Sequence, residues 1–135
     1  DINFDLKQSL SFEGNTAPYI QYAYARICSI LRKADIELER KEIELQLTMA
    51  AERMLARRIL DYAGVVEQVA RTIRVHTLCD YLYDLSTMVS NFYHEVPVLK
   101  AEGALKLSRL KLLDIAGKTL KDGLGLLAID ALEQM

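Results

Sequence analysis

Between Pro18 and Pro97 the chain contains no proline, and these are the only two prolines in the sequence. No run alternates apolar and polar residues cleanly over the length of a strand, whereas apolar residues recur throughout at helical spacing. The pattern predicts an all-α fold, a helical bundle of about five main helices. At 135 residues the chain suits one compact domain over 1–135.

Local signals place the helices. "FDLKQSL" is expected to form a short helix. Asn15 or Thr16 can cap a long first helix that carries Pro18 in its first turn, where a missing N–H costs little, and runs to about Lys33. Residues 34–47 read as a variable loop or an extra helix. Thr48 is the expected N-cap of a second helix that stops near Gly64, and a short third covers about Val65 to Arg74. A fourth spans about Thr77 to His94, ending before Pro97, and a fifth runs from about Ala101 to Lys121 with Gly123 as its C-cap. The tail "LLAIDALEQM" has room for one more turn. Ile20, Ile27, Leu31, Leu55, Leu82, Leu85, Val89 and Leu112 are the expected core.

Several classes are excluded or disfavoured. No apolar run approaches the roughly 20 residues that cross a membrane. No basic stretch followed by an apolar core marks a signal peptide. The chain begins at Asp1 rather than methionine, as an excised piece of a longer polypeptide does. Cys28 and Cys79 are too few for a disulfide framework and read as free thiols in a reducing compartment. The net charge of −2 argues against a free-standing nucleic-acid binder. The charges are segregated, however. Residues 35–44 are mainly acidic, while cations gather at Arg53, Arg57, Arg58, Arg71 and Arg74 and again at Lys106, Arg109, Lys111, Lys118 and Lys121.

The stretch "PYIQYAYARICSILRK" carries the most information. At about 100° per residue, Ile20, Ala23, Tyr24, Ile27, Ile30 and Leu31 share the core side of a helix. Tyr19, Tyr22, Arg26, Ser29 and Lys33 fall together on the other. A phenol offers a flat π surface and a hydroxyl, and a guanidinium can stack and grip phosphate. That set suits the unstacked bases of a single-stranded RNA loop. The plainer reading packs Tyr19 and Tyr22 against a neighbouring helix and leaves Arg26 and Lys33 solvated. In "TLCDYLYDLSTMVSNFYHE", Tyr83, Ser86, Ser90 and Tyr93 similarly lie along one flank, where the serines suit a close helix–helix contact.

No catalytic constellation is visible. His76 and His94 lack partners at metal-ligand spacing, and neither phosphate-binding glycine motif occurs. The residues describe a binding module.

"FEGNTAPYIQYAYARICSILRKA" closely resembles the start of the C-terminal, DALR-type anticodon-binding domain of bacterial-type arginyl-tRNA synthetases. The resemblance continues in "LCDYLYDLSTMVSNFYHEVPVL", in "SRLKLLDIAGKTLKDGLGLLAID" and in "LEQM", leaving out only the variable stretch. It implies a class I synthetase anticodon-binding fold and a parent enzyme, an arginine–tRNA ligase, that uses ATP and Mg²⁺ in the cytoplasm. It implies tRNA, through its anticodon loop, and the catalytic domain of the same chain as partners, and neither DNA nor a membrane. The H-x-G-H and K-M-S-K-type motifs of that catalytic domain are absent, so this stretch alone implies no cofactor and no aminoacylation. By position, the resemblance places Tyr22, Arg26, Tyr93 and the terminal Met135 near the anticodon loop, and the helical wheel adds Tyr19 and Lys33. The family often ends in Glu-Arg-Met; here Glu133, Gln134 and Met135 stand, one cation fewer. Gly14, Asn15 and Thr16 match the family motif as turn and cap. The alternatives are the equivalent domain of another class I synthetase, such as the cysteinyl enzyme, and a stand-alone helical protein-interaction domain.

Overall fold

The computed structural model describes residues 16–127. The expected short helix at "FDLKQSL", the tail from Ala128 and Met135 lie outside the described residues. Within them the chain forms five α-helices and one 3₁₀ turn, without strands: α1 (Thr16–Ala34), the 3₁₀ turn (Leu38–Arg40), α2 (Ala50–Leu60), α3 (Tyr62–Thr72), α4 (Val75–Glu95) and α5 (Gly103–Leu126). The all-α reading of the sequence holds for the described residues, which contain no strand.

α4 is the central helix and packs against each of the other four. Its stripe of Leu78, Tyr81, Leu82, Leu85, Val89 and Phe92 is buried, and meets Ile20 and Ile27 from α1, Leu55 from α2, and Leu112, Leu113, Ala116 and Leu120 from α5 in one core. Seven of the eight expected core residues are buried. Leu31 is the exception, half-buried at the core's margin.

Boundaries depart from expectation where tertiary contacts override local signals. α1 ends in Asp35, which takes the left-handed conformation (φ 51°) that Asp tolerates better than most residues. The loop 35–49 is anchored by buried Leu38 and half-buried Ile36, Ile43 and Leu47, and by the Gln46 N–H donating to Ser108 Oγ at 2.7 Å. The N-cap of α2 is Met49 rather than Thr48. Methionine offers no capping oxygen. Instead Glu52 reaches back and accepts hydrogen bonds from the Met49 N–H and the Thr48 hydroxyl, both at 3.0 Å.

The second helix was expected to run to Gly64, yet it breaks at Asp61. The Tyr81 hydroxyl donates to the Arg58 carbonyl at 2.7 Å, an oxygen that a continuous helix would use for the Tyr62 N–H. Arg58 bridges Asp61 and Asp84 at 3.0 and 2.8 Å and stacks over the Tyr81 ring. Gly64 sits inside α3 with open space around it. Gly123 likewise is no cap: α5 continues through it to Leu126, and it lies against Leu82 from α4, where a side chain would not fit without a shift.

Candidate nucleic-acid interface

The first turn of α1 brings Tyr19 against α4, where its ring meets that of Tyr83 with centroids 4.9 Å apart and planes inclined at 36°. The residues that follow each tyrosine diverge into a groove of about 930 Å³ between the two helices. Residues downstream of Tyr19 and downstream of Tyr83 line the same groove, so α1 and α4 run in the same sense along it. From α1 come Tyr19, Tyr22, Arg26, Ser29 and Lys33, and from α4 Ser86, Ser90 and Tyr93, with Ala23, Ile30 and Val89 among the smaller and apolar surfaces between.

Five of the six residues singled out from the sequence, Tyr19, Tyr22, Arg26, Lys33 and Tyr93, thus share one concave surface, and Met135 lies outside the described residues. Their environments differ. Tyr22 is 58% exposed, too open to be packed between helices. Arg26 and Lys33 are exposed and form no ion pair among the described residues. Tyr19 and Tyr93 are half-buried and help to hold the walls. The plainer reading therefore describes Tyr19, which does pack on a neighbouring helix, but not Tyr22. Ser86 also meets that reading: it is buried and back-bonds to the Leu82 carbonyl at 2.7 Å. Ser90 is half-buried and lines the groove.

Arg32 joins the lining, which the sequence reading missed. It lies about 80° from Tyr22 on the wheel, and a long flexible side chain covers that angle. Conversely, much of the basic set that stood out in the sequence is engaged elsewhere. Arg109 is buried against Glu52, Arg58 bridges two aspartates, and Lys111 and Lys118 flank Asp114. Groups whose titration the fold displaces are also away from the groove. Burial pushes the Cys79 thiol up to about 11 and the Tyr81 phenol up to about 12, and the hydrogen bond to Asp114 raises Lys118. No cluster of three His, Cys, Asp or Glu side chains among the described residues is placed to hold a metal ion, and no helix is long and apolar enough to cross a membrane.

A bundle with a groove between two helices, walled by phenols and edged by exposed cations, has the make-up of a nucleic-acid-binding module. The family described as the DALR anticodon binding domain matches residues 20–135, and the chain belongs to that family. It is 47% identical over its whole length to the arginine–tRNA ligase of Haemophilus ducreyi, and 49% identical over 98% of its length to that of Laribacter hongkongensis. Among solved structures, the Thermus thermophilus arginyl-tRNA synthetase superimposes on 96% of the chain with a TM-score of 0.83 at 39% identity. The Plasmodium falciparum enzyme does so on 93% with a TM-score of 0.81 at 35% identity. The chain spans only 24% of the Haemophilus protein and 23% of the Thermus one.

Proposed function

We propose that this chain is the anticodon-loop-binding domain of an arginine–tRNA ligase. The observation that carries the reading is the convergence of Tyr22, Arg26, Lys33 and Tyr93 on one groove. Exposed Tyr22 offers a stacking face to an unstacked base, Tyr93 forms the far end of the opposite wall, and Arg26 and Lys33 neutralise the phosphates between bases. The similarity to arginine–tRNA ligases over the full chain favours the arginyl enzyme over the cysteinyl one and over a stand-alone interaction domain. In this reading the parent enzyme works in the cytoplasm. It binds ATP, Mg²⁺ and arginine in a catalytic domain elsewhere in the same polypeptide, while this domain holds the distal end of the tRNA. By the resemblance, the terminal Met135 is a further proposed tRNA contact.

The test is tRNA binding by the full-length enzyme. Stacking of a base on an aromatic contributes about 1–3 kcal/mol, so Tyr22→Ala is expected to weaken binding roughly ten- to a hundredfold. Arg26→Ala is expected to weaken it too, and to lower the slope of log affinity against log salt by about one. ATP and arginine binding should be unchanged. If Tyr22→Ala lowers the melting temperature by many degrees and leaves tRNA affinity intact, the ring is a packing element and the reading fails.

A further inference from the structure

The hydroxyls of α4 are not used alike. Ser86 and Thr87 both donate back to the carbonyl four residues earlier, Leu82 and Tyr83, at 2.7 and 3.1 Å, as Thr72 and Thr119 do on α3 and α5. Ser90, one turn beyond Ser86 on the same face, has no hydrogen-bond partner among the described residues and lines the groove. A back-bonded serine has its proton occupied, whereas an unengaged hydroxyl can both donate and accept toward a ligand.

Its position is also fixed. α1 and α4 run in the same sense from the Tyr19–Tyr83 contact. About two turns along α1 from Tyr19 stands Arg26, and about two turns along α4 from Tyr83 stands Ser90, each an advance of about 10 Å. Ser90 therefore lies on the wall opposite Arg26, between back-bonded Ser86 and the ring of Tyr93. A nucleotide whose phosphate is held by Arg26 would direct its base edge across the groove toward this hydroxyl.

We propose that Ser90 is a specificity-determining residue of the groove: its hydroxyl hydrogen-bonds the edge of one unstacked anticodon-loop base whose phosphate Arg26 holds. The proposal rests on the anticodon-loop reading of this surface. A stacking tyrosine tolerates every base, because each has a π-face. A polar group placed against the edge discriminates, because the wrong base leaves it unpaired.

The experiment compares the full-length enzyme with its Ser90→Ala and Ser90→Thr variants. Each is titrated with the tRNA for arginine and with transcripts carrying single substitutions at each anticodon-loop base. A neutral hydrogen bond predicts that Ser90→Ala weakens the cognate tRNA by about three- to tenfold. At one loop position only, the penalty for substituting the base should shrink by the same factor. Ser90→Thr, which keeps the hydroxyl, should retain that discrimination. Equal effects of Ser90→Ala on every transcript, or no effect on any, would overturn the proposal. Tyr22→Ala, run in parallel, separates the two claims. If it weakens all transcripts while Ser90→Ala changes no preference, the groove binds RNA but Ser90 does not read it. If neither variant matters, the groove is not the RNA site.

Discussion

Tyr19 and Tyr83 make the contact from which α1 and α4 open, ring against ring at 4.9 Å. The contact joins one residue read as an RNA ligand to one on the flank of the central helix. Tyr19 is thereby a support of the groove wall. Aromatic pairs contribute about 0.5–1.5 kcal/mol beyond their area. A double-mutant cycle with Tyr19→Leu and Tyr83→Leu, followed by urea unfolding, is expected to show coupling of about that size. Additive losses would mean that the rings are neighbours without interacting.

Gly123 and Gly64 are both inside helices, yet opposite outcomes are expected on adding a methyl group. A Cβ at Gly123 would stand 2.5 Å from Leu82 Cδ2 and 2.9 Å from Cδ1. Leu82 is itself fully buried, so its methyl groups would have to shift within a packed core. Gly123→Ala should therefore destabilise the chain by about 1–3 kcal/mol. A Cβ at Gly64 meets nothing within 4 Å, so Gly64→Ala should stabilise it by about 0.5–1 kcal/mol through helix propensity. Urea midpoints of the two variants moving in the same direction would contradict the packing described.

These glycines also mark where the sequence stops being legible. Both sit at spacings that look like helix ends, and at Gly123 it is Leu82 on another helix that distinguishes a packing glycine from a cap. The core stripes of α1 and α4 were readable because they repeat at helical period over many turns. So was the groove face of α1, since Tyr22, Arg26, Ser29 and Lys33 share one side of a single helix. What could not be read was pairing between helices. That Tyr19 would meet Tyr83, that Arg109 would be buried, and that Ser86 and Ser90 would differ in their hydrogen bonds depends on residues far apart in the chain. The charge runs misled for the same reason: local counting gave Arg109 and Lys118 the same weight as Arg26.

Alkaline pH should loosen the bundle at the α2–α3 junction. Burial holds the Tyr81 phenol up to about 12, and burial together with the hydrogen bond to Asp122 raises that of Tyr62 still further. An unfolded tyrosine titrates near 10. The native chain thus keeps protons that the unfolded chain releases. The stability linked to these phenols is fully present below about pH 10 and is lost as pH rises toward the folded values. The urea midpoint is expected to fall steadily above about pH 10, and Tyr81→Phe should make that fall shallower. A midpoint that stays level to pH 11 in the parent chain would show that these hydroxyls are not held as described.

Glu52 and Arg109 form the one ion pair among the described residues in which both side chains are buried, with Arg109 Nη2 3.4 Å from Glu52 Oε1. The pair joins the start of α2 to α5. Arg109 also donates to the Pro97 carbonyl at 2.8 Å, so it fixes the connection between α4 and α5 as well. Desolvating two charges costs about as much as their attraction returns, so the pair need not be a large net stabiliser. Removing one partner is different. Arg109→Met leaves the Glu52 carboxylate buried without its cation, and a loss of about 3–5 kcal/mol is expected. Adding Glu52→Gln removes the stranded charge while keeping an oxygen that can accept from the Met49 N–H, so the double variant should be more stable than Arg109→Met alone. Urea unfolding of the two single variants and the double variant tests this directly. If Glu52→Gln makes the Arg109→Met protein weaker still, the cost of Arg109→Met comes from lost packing and the lost bond to Pro97, and the buried charge is not what Arg109 is there to balance.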